Sequence, residues 1–329
     1  MTADGADDRQ PATSTPPLRL PRLGVAASAA VSLLLSASLV VVAPIGLLVA
    51  PLAVVPVAQW VAADPRRGRL AWGTVAAALA ALTAGGVELP GAPAWAYLAA
   101  YLLVVALPAA SLEAWRRFGW HEGRWAAVTT IAGAGACLGA VVAAAWPRPP
   151  LEAIAAWFRD AATLVETTYR EMGVGTGELE LAFDTVESVV PWIAPSLPVA
   201  YLVVLLFWLR PRLPVLGFPM PIAPFERYRG EEWLPAGFAL SGLATLLLEG
   251  TGRWLAVSLL IAVLVLYFVQ GLAMIRSHVA RWIGRGWLVR WAVALLCLQG
   301  PLPLVVAALG IADGFYSLRP RIVEDGGHP

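Results

Sequence analysis

The sequence has no lysine, little charge of either sign, and few of the residues that commonly carry catalysis. All 23 of its basic residues are arginine, the formal net charge is +1, and only 14% of the residues are charged. Its two cysteines and three histidines match no metal-ligand or redox spacing. The near-neutral balance gives no electrostatic reason to expect a nucleic-acid partner, and the sequence predicts no cofactor and no metal site.

Motifs typical of nucleotide-dependent or hydrolytic enzymes are also missing. The sequence contains no Walker A loop, no dinucleotide fingerprint, no G-x-S-x-G elbow and no H-E-x-x-H zinc box. No residue can therefore be nominated as a nucleophile. We interpret the chain as a non-enzymatic protein without catalytic residues.

Apolar length is what the sequence has in excess. Hydrophobic residues make up 59% of the chain, whereas soluble proteins carry about 45–50%. The run Trp254–Ile275 bears no formal charge and is as long as the roughly 20 apolar residues that cross a lipid bilayer. The apolar segments predict an all-α, polytopic transmembrane bundle of about nine spans: 24–42, 45–63, 70–87, 94–115, 125–145, 190–209, 234–250, 254–275 and 288–311.

The arginines indicate how such a bundle is oriented. Short cytoplasmic loops accumulate arginine, and the arginine-rich loops alternate with arginine-poor ones along the chain: 64–69, 115–124, 210–212 and 276–286. We therefore expect a multi-pass protein of the bacterial inner membrane, with residues 1–18 as a disordered cytoplasmic tail and 19–318 as the transmembrane domain. Nine crossings would place the polar tail 319–329 outside the cell and eight would place it inside; we expect nine.

Two of the predicted loops are longer than a connector needs to be. Residues 151–190 hold eight acidic residues against two arginines, and apolar residues at a spacing of three to four predict two amphipathic helices outside the membrane. Residues 210–235 hold six prolines, so helix is not expected across most of this cytoplasmic loop. The loop is either a connector at the membrane interface or a docking surface for a partner.

Polar groups inside the predicted spans are the candidates for function, because such groups are costly in lipid. Glu249 and Arg253 have the i,i+4 spacing of a helical ion pair, and they could also line an outward-facing pocket. Gln270 lies beside Gly271 near the inner end of its span, where an amide favours contact with a neighbouring helix. Glu249, Arg253 and Gln270 are the candidate ligand-binding residues.

Small residues four positions apart predict close packing between helices. Gly135 and Gly139 form a G-x-x-x-G pair in the fifth segment, and Ala26 and Ala30 begin a small-residue face on the first. Gly271 would likewise let two backbones approach each other. The spacing leaves open whether the neighbouring helix belongs to this chain or to a partner subunit.

Four stretches in the carboxy-terminal half resemble a known family. They are TTYREMG (Thr167–Gly173), PFERYRGEEWLP (Pro224–Pro235), LYFVQGLAMI (Leu266–Ile275) and GIADGFYSLRPR (Gly310–Arg321). In this order they look like the bacterial YybS-like membrane proteins, domain of unknown function 2232, over roughly residues 20–321. That family is distantly similar to the S components, which are the substrate-binding subunits of energy-coupling-factor vitamin transporters.

The resemblance implies a helical bundle in the lipid bilayer that binds or transports a small molecule. Because the chain has no ATP-binding motif, it would need a transmembrane or ATPase transporter subunit as a partner. The resemblance assigns no binding residue, and about nine segments exceed the six spans usual for S components. The alternative function is a non-transporting membrane scaffold or assembly factor that recruits partners through its loops.

Overall fold

The computed structural model describes residues 23–90, 92–172, 187–218, 222–282, 296–297, 299 and 301–316. These residues are almost entirely helical, which confirms the predicted all-α fold. The helices are α1 (Val25–Val41), α2 (Ala43–Val49), α3 (Val54–Ala63), α4 (Pro65–Ala84), α5 (Ala94–Tyr101), α6 (Leu107–Phe118), α7 (Glu122–Ala145), α8 (Pro150–Glu171), α9 (Ser196–Leu209), α10 (Leu213–Leu216), α11 (Leu234–Leu247), α12 (Gly250–Trp282) and α13 (Leu302–Tyr316). The described β structure is a two-residue antiparallel pairing of β1 (Glu88–Leu89) with β2 (Ala92–Pro93).

The helices α1 to α6 form one half of the bundle around a shared apolar core. At one end of α1, the Trp60 indole Nε1 donates to the Leu23 carbonyl oxygen at 3.0 Å. At the other end, Gly46 lies so close to Ser38 that a side chain at position 46 would overlap the Ser38 carbonyl oxygen. These two contacts fix α1 antiparallel to α2 and α3.

Two of the long helical stretches are irregular in the middle. A 3₁₀ turn, Ala50–Ala53, joins α2 to α3, and a π-helical segment, Leu102–Ala106, joins α5 to α6. Pro51 lies in the first turn of the 3₁₀ segment and Pro108 in the first turn of α6, where a missing backbone N–H is tolerated. The chain therefore stays helical through each irregular stretch.

The second half of the bundle is built around α12, which contacts α7, α9, α11 and α13. Its contact with α13 is made backbone to backbone. A methyl group added to Gly271 would overlap the Val306 carbonyl oxygen, and one added to Gly310 would overlap the Tyr267 carbonyl oxygen. Glycine on both helices is what allows this crossing.

Five helical stretches are long and apolar enough to cross a membrane: Ala43–Ala63, Ala94–Phe118, Glu122–Ala145, Ser196–Leu216 and Gly250–His278. The helices α1, α11 and α13 are apolar but shorter, and α4 carries arginines in its first turns. Each of the predicted apolar segments overlaps a described helix. The helical membrane fold is confirmed, whereas the count of about nine crossings stays a prediction.

The helix boundaries differ from the predicted ones in two segments that contain proline. Beyond residue 209 the chain continues as a 3₁₀ turn, Arg210–Arg212, and as α10, because Pro211 and Pro214 both occupy first-turn positions that need no N–H donor. In the last predicted segment, 288–311, residues 296–297 are helical, and α13 begins after Pro301 and extends beyond the predicted end to Tyr316. Residues 288–295 of that segment lie outside the described residues.

The acidic loop contains an amphipathic helix, α8. Its residues Ala153 and Ile154 are buried, and Ile154 packs with Leu138 and Trp254 in a small apolar cluster. Arg159 Nε of this helix lies 3.2 Å from Glu187 Oε1. The second predicted helix falls largely on residues 173–186, outside the described residues.

Candidate functional site

The predicted arginine-rich loops meet at one end of the bundle, which we call the arginine-rich end. There short connections join α3 to α4 and α6 to α7, and residues 210–235 connect α9 to α11. Arg116 Nη1 donates to the Ala62 carbonyl oxygen at 2.8 Å, and Arg69 Nε lies 3.5 Å from Glu113 Oε1. These contacts join three different helix ends.

The buried carboxylate of Glu231 is the centre of this end. Its side chain is 2% exposed; Oε1 lies 2.7 Å from Arg124 Nε and Oε2 lies 2.6 Å from His121 Nε2. Both partners come from the start of α7, more than one hundred residues earlier in the chain. A buried carboxylate needs such partners, because leaving it unpaired costs several kcal/mol.

A second buried ion pair fastens the other end of the same loop. Arg210, whose side chain is 6% exposed, pairs with Glu122 and donates through Nη2 to the Ala223 carbonyl oxygen. Further along, Arg276 Nε of α12 lies 2.6 Å from Glu226 Oε1. The loop 210–235 is thus tied to α7 and α12 by three glutamates.

Gln270 connects this loop to the glycine crossing of α12 and α13. Its Oε1 accepts from the Gly230 backbone N–H at 3.2 Å, and its Nε2 donates to Asp313 Oδ2 at 3.2 Å. Both Gln270 and Asp313 are buried. The amide of Gln270, a predicted ligand-binding residue, therefore forms hydrogen bonds within the chain, to loop 210–235 and to α13.

The other two predicted ligand-binding residues lie far from Gln270. Glu249 directly precedes α12 and Arg253 lies in its first turn. Arg253 is seventeen residues before Gln270, which corresponds to about 25 Å along a helix, and Glu249 is farther still. The Arg253 guanidinium lies over the Trp192 ring, 5.9 Å from its centroid, and its backbone N–H donates to the Glu249 carbonyl oxygen at 3.3 Å. The structure does not bring the three residues into one site.

The predicted packing glycines fall into two classes. Gly271 lies at the crossing with α13, whereas an added side chain at Gly135 or Gly139 would meet no atom within 4 Å. These two line an open apolar groove of about 700 Å³ together with Leu138 and Leu255. Within the described residues the G-x-x-x-G face of α7 is thus free of a helix partner from this chain.

On α1 the structure turns serines inward and the predicted alanines outward. Ser28, Ser32 and Ser36 are buried, whereas Ala26 and Ala30 lie on the exposed face. The Ser36 hydroxyl donates to the Leu33 carbonyl oxygen at 2.9 Å. The hydroxyls of Ser28 and Ser32 are buried with no hydrogen-bond partner among the described residues.

The same half of the bundle holds two further buried donors, on α5 and α4. The Tyr101 hydroxyl of α5 and the Trp72 indole N–H of α4 have no hydrogen-bond partner within the described part of the chain. Tyr101 is 0% exposed and belongs to the core that α1 to α6 share. Spare donors of this kind are uncommon in protein interiors, where nearly all polar groups are paired. In the second half, the hydroxyls of Ser196 and Tyr267 are also buried without a hydrogen-bond partner among the described residues.

Sequence reasoning missed Ser28, Tyr101, Glu231 and Asp313. The four-residue repeat of serine at 28, 32 and 36 was a visible signal, since it marks one helix face. Nothing local marked Glu231, because its pairing depends on residues distant in the chain. Among the described residues, no group of three or more histidine, cysteine, aspartate and glutamate side chains is placed to hold a metal ion.

Comparison with known proteins gives one match. The family model described as predicted membrane protein, domain of unknown function 2232, matches residues 27–314. No curated protein and no solved structure matches the chain.

Proposed function

The chain belongs to the predicted membrane proteins of domain of unknown function 2232, and on that premise we propose that it binds a small uncharged molecule among α1, α3, α4 and α5. It acts as a non-enzymatic binding subunit, like the S component of a transporter. One observation carries the proposal: four buried donors in this half, on Ser28, Ser32, Trp72 and Tyr101, have no hydrogen-bond partner in the described residues. An unpaired buried polar group costs about 1–3 kcal/mol, which a bound ligand would recover.

The chemistry of these groups indicates what kind of ligand they suit. Ser28, Ser32, Tyr101 and Trp72 offer hydroxyl and indole donors, and Gln59 of α3 adds a buried amide. None of the five is charged at neutral pH. A ligand with hydrogen-bond acceptors and no net charge would match them, and the two aromatic rings favour a flat molecule.

Transport would require further subunits and a defined orientation. The sequence has no ATP-binding motif, so an ATPase partner would supply the energy. We place the protein in the inner membrane with the arginine-rich end in the cytoplasm. In a chain without Cys137 and Cys297, a cysteine at Glu88 should then react with a membrane-impermeant maleimide in intact spheroplasts, and one at Arg117 only after lysis. The opposite pattern would reverse the orientation.

Mass spectrometry of the purified protein tests the binding proposal. We expect the full chain, extracted in a mild detergent, to release a small molecule on denaturation. Ser32→Ala should lower its occupancy by about three- to tenfold, the equivalent of one hydrogen bond. Ser36→Ala is the matched control, because that hydroxyl already bonds to the Leu33 carbonyl oxygen. Absence of any released molecule, or equal loss in both variants, would argue against the proposal.

The structure also gives one observation in favour of a scaffold function. Buried ion pairs hold residues 222–235 in place while Arg227, Arg229 and Glu232 are exposed, so the loop presents a fixed charged surface. Fixed surfaces bind partners at a lower entropic cost than mobile ones. If the protein is a scaffold, the double variant Arg227→Glu, Arg229→Glu should abolish partner recovery in pull-downs while ligand occupancy stays unchanged.

A further inference from the structure

The first turns of α4 carry three arginines with different surroundings. Arg67 Nε lies 3.4 Å from Asp64 Oδ2, and the Arg67 guanidinium lies over the Trp60 ring. Arg69 makes only a 3.5 Å contact with Glu113 and remains 54% exposed. The Arg66 guanidinium has no partner among the described residues. Arg66 and Arg69 therefore keep most of their capacity to bind an anion.

Below these two arginines, α4 has an open and shallow face. A groove of about 550 Å³ is lined by Arg66, Arg69, Leu70, Gly73, Thr74 and Ala77. An added side chain at Gly73 would meet no atom within 4 Å, and the Thr74 hydroxyl is already bonded to the Leu70 carbonyl oxygen at 2.7 Å. The groove thus has charge at its top and a small, apolar wall beneath it.

The dimensions of this groove fit an amphiphile that stands in the membrane. Ala77 lies eleven residues beyond Arg66, which corresponds to about 16 Å along the helix. The arginines lie in the first turns of α4. If α4 crosses the bilayer as segment 70–87 is predicted to do, the wall runs from the headgroup layer toward the interior of the membrane. By contrast, the exposed face of α11 is covered by Leu240, Leu243, Leu246 and Leu247, and this helix contains no arginine.

From this arrangement we infer that the Arg66–Ala77 face of α4 is a binding site for an anionic phospholipid. The guanidinium groups of Arg66 and Arg69 bind the phosphate, since arginine donates to phosphate through two parallel N–H groups. One acyl chain lies along Leu70, Gly73 and Ala77. The apolar wall selects a lipid over free phosphate, because phosphate would gain nothing from it.

Native mass spectrometry of the delipidated full chain tests this site. The probes are phosphatidylglycerol and phosphatidylcholine with identical acyl chains, added at equal concentration. We expect phosphatidylglycerol to bind at least tenfold more tightly. The double variant Arg66→Gln, Arg69→Gln should remove most of that preference, because each arginine near a membrane surface contributes about a fivefold factor.

Two single variants separate the groove from general surface charge. Gly73→Leu fills the apolar wall and keeps both arginines, so it should weaken phosphatidylglycerol binding about fivefold or more. Arg117→Gln removes an exposed arginine at the same end of the bundle and should leave binding unchanged. Equal binding of the two lipids, an equal effect of Arg117→Gln, or no effect of Gly73→Leu would overturn the inference. The inference would also be overturned if a transmembrane protein co-purifies with the unmodified chain in place of the lipid and is absent from the double variant. The two arginines would then bind a protein and not a lipid.

Discussion

The arginine-rich end and the interior of the first half-bundle use polar side chains in opposite ways. At the arginine-rich end, Glu231, Arg210 and Gln270 are buried and each has partners within hydrogen-bond distance. In the first half, Ser32 and Tyr101 are equally buried, but their hydroxyls have no partner among the described residues. Burial alone therefore does not distinguish a structural polar group from one that is available to a ligand.

The difference also shows what each region can contribute. Satisfied ion pairs hold a loop and several helix ends in one arrangement. Removing one partner of a buried ion pair destabilises the fold, because the other partner is left without its counter-charge. Unsatisfied donors lower stability until something binds to them. The first region maintains the fold, and the proposed function gives the second a role in recognition; the substitutions below separate these roles.

The largest effect is expected from the buried carboxylate at the arginine-rich end. Glu231→Ala should lower the free energy of unfolding by about 3 kcal/mol, because Arg124 and His121 lose their common carboxylate partner and loop 210–235 loses a buried anchor. Thermal and denaturant unfolding in detergent micelles would measure the change. The exposed neighbour provides the control, and Glu232→Ala should change the free energy by less than about 0.5 kcal/mol. Similar losses for both would show that Glu231 is no anchor.

The next effect concerns the crossing of α12 and α13. Gly271→Ala should lower the free energy of unfolding by about 2 kcal/mol, since the new methyl group overlaps the Val306 backbone carbonyl oxygen and forces the helices apart. Gly135→Ala, on the open face of α7, should leave stability unchanged or slightly raised, because alanine favours helix over glycine. The same unfolding assay compares them, and a larger loss at Gly135 than at Gly271 would contradict this packing.

A smaller effect is expected from the two buried glutamines. Gln270→Leu should cost about 1 kcal/mol, because the Gly230 N–H and the Asp313 carboxylate both lose a hydrogen-bond partner. Gln59→Leu, in the first half of the bundle, removes an amide that makes no hydrogen bond with the described residues, and we expect no loss of stability. Equal losses in the two variants would remove the distinction between the two regions at the level of their amides.

Much of the fold follows from the sequence alone. Apolar length predicts the helical membrane bundle because lipid leaves the backbone no other partner than itself, and the alternating arginine loops do gather at one end. The small-residue pattern predicts close packing but not its location. Gly271 contacts a neighbouring backbone, whereas Gly135 faces open space, although Gly135 belongs to the G-x-x-x-G pair and Gly271 does not.

The polar partners could not be predicted from local sequence. Glu231 and Glu232 are adjacent in a proline-rich loop, yet only the first meets Arg124, which lies 107 positions earlier. Likewise, Asp313 meets Gln270 across 43 positions. Helical phase decides that Ser28 faces the interior while Ala26 faces out, and that phase depends on which neighbours α1 packs against.

The most direct test of the account is the stability of the protein without its Tyr101 hydroxyl. Tyr101→Phe keeps the ring and removes only a buried donor that has no partner among the described residues. The extensively washed, ligand-free protein should therefore show a free energy of unfolding that is unchanged or higher by up to about 1 kcal/mol. A lower free energy of unfolding, comparable to the loss in Gln270→Leu, would contradict the account, because it would mean that the hydroxyl has a partner within the fold and is not available to a ligand.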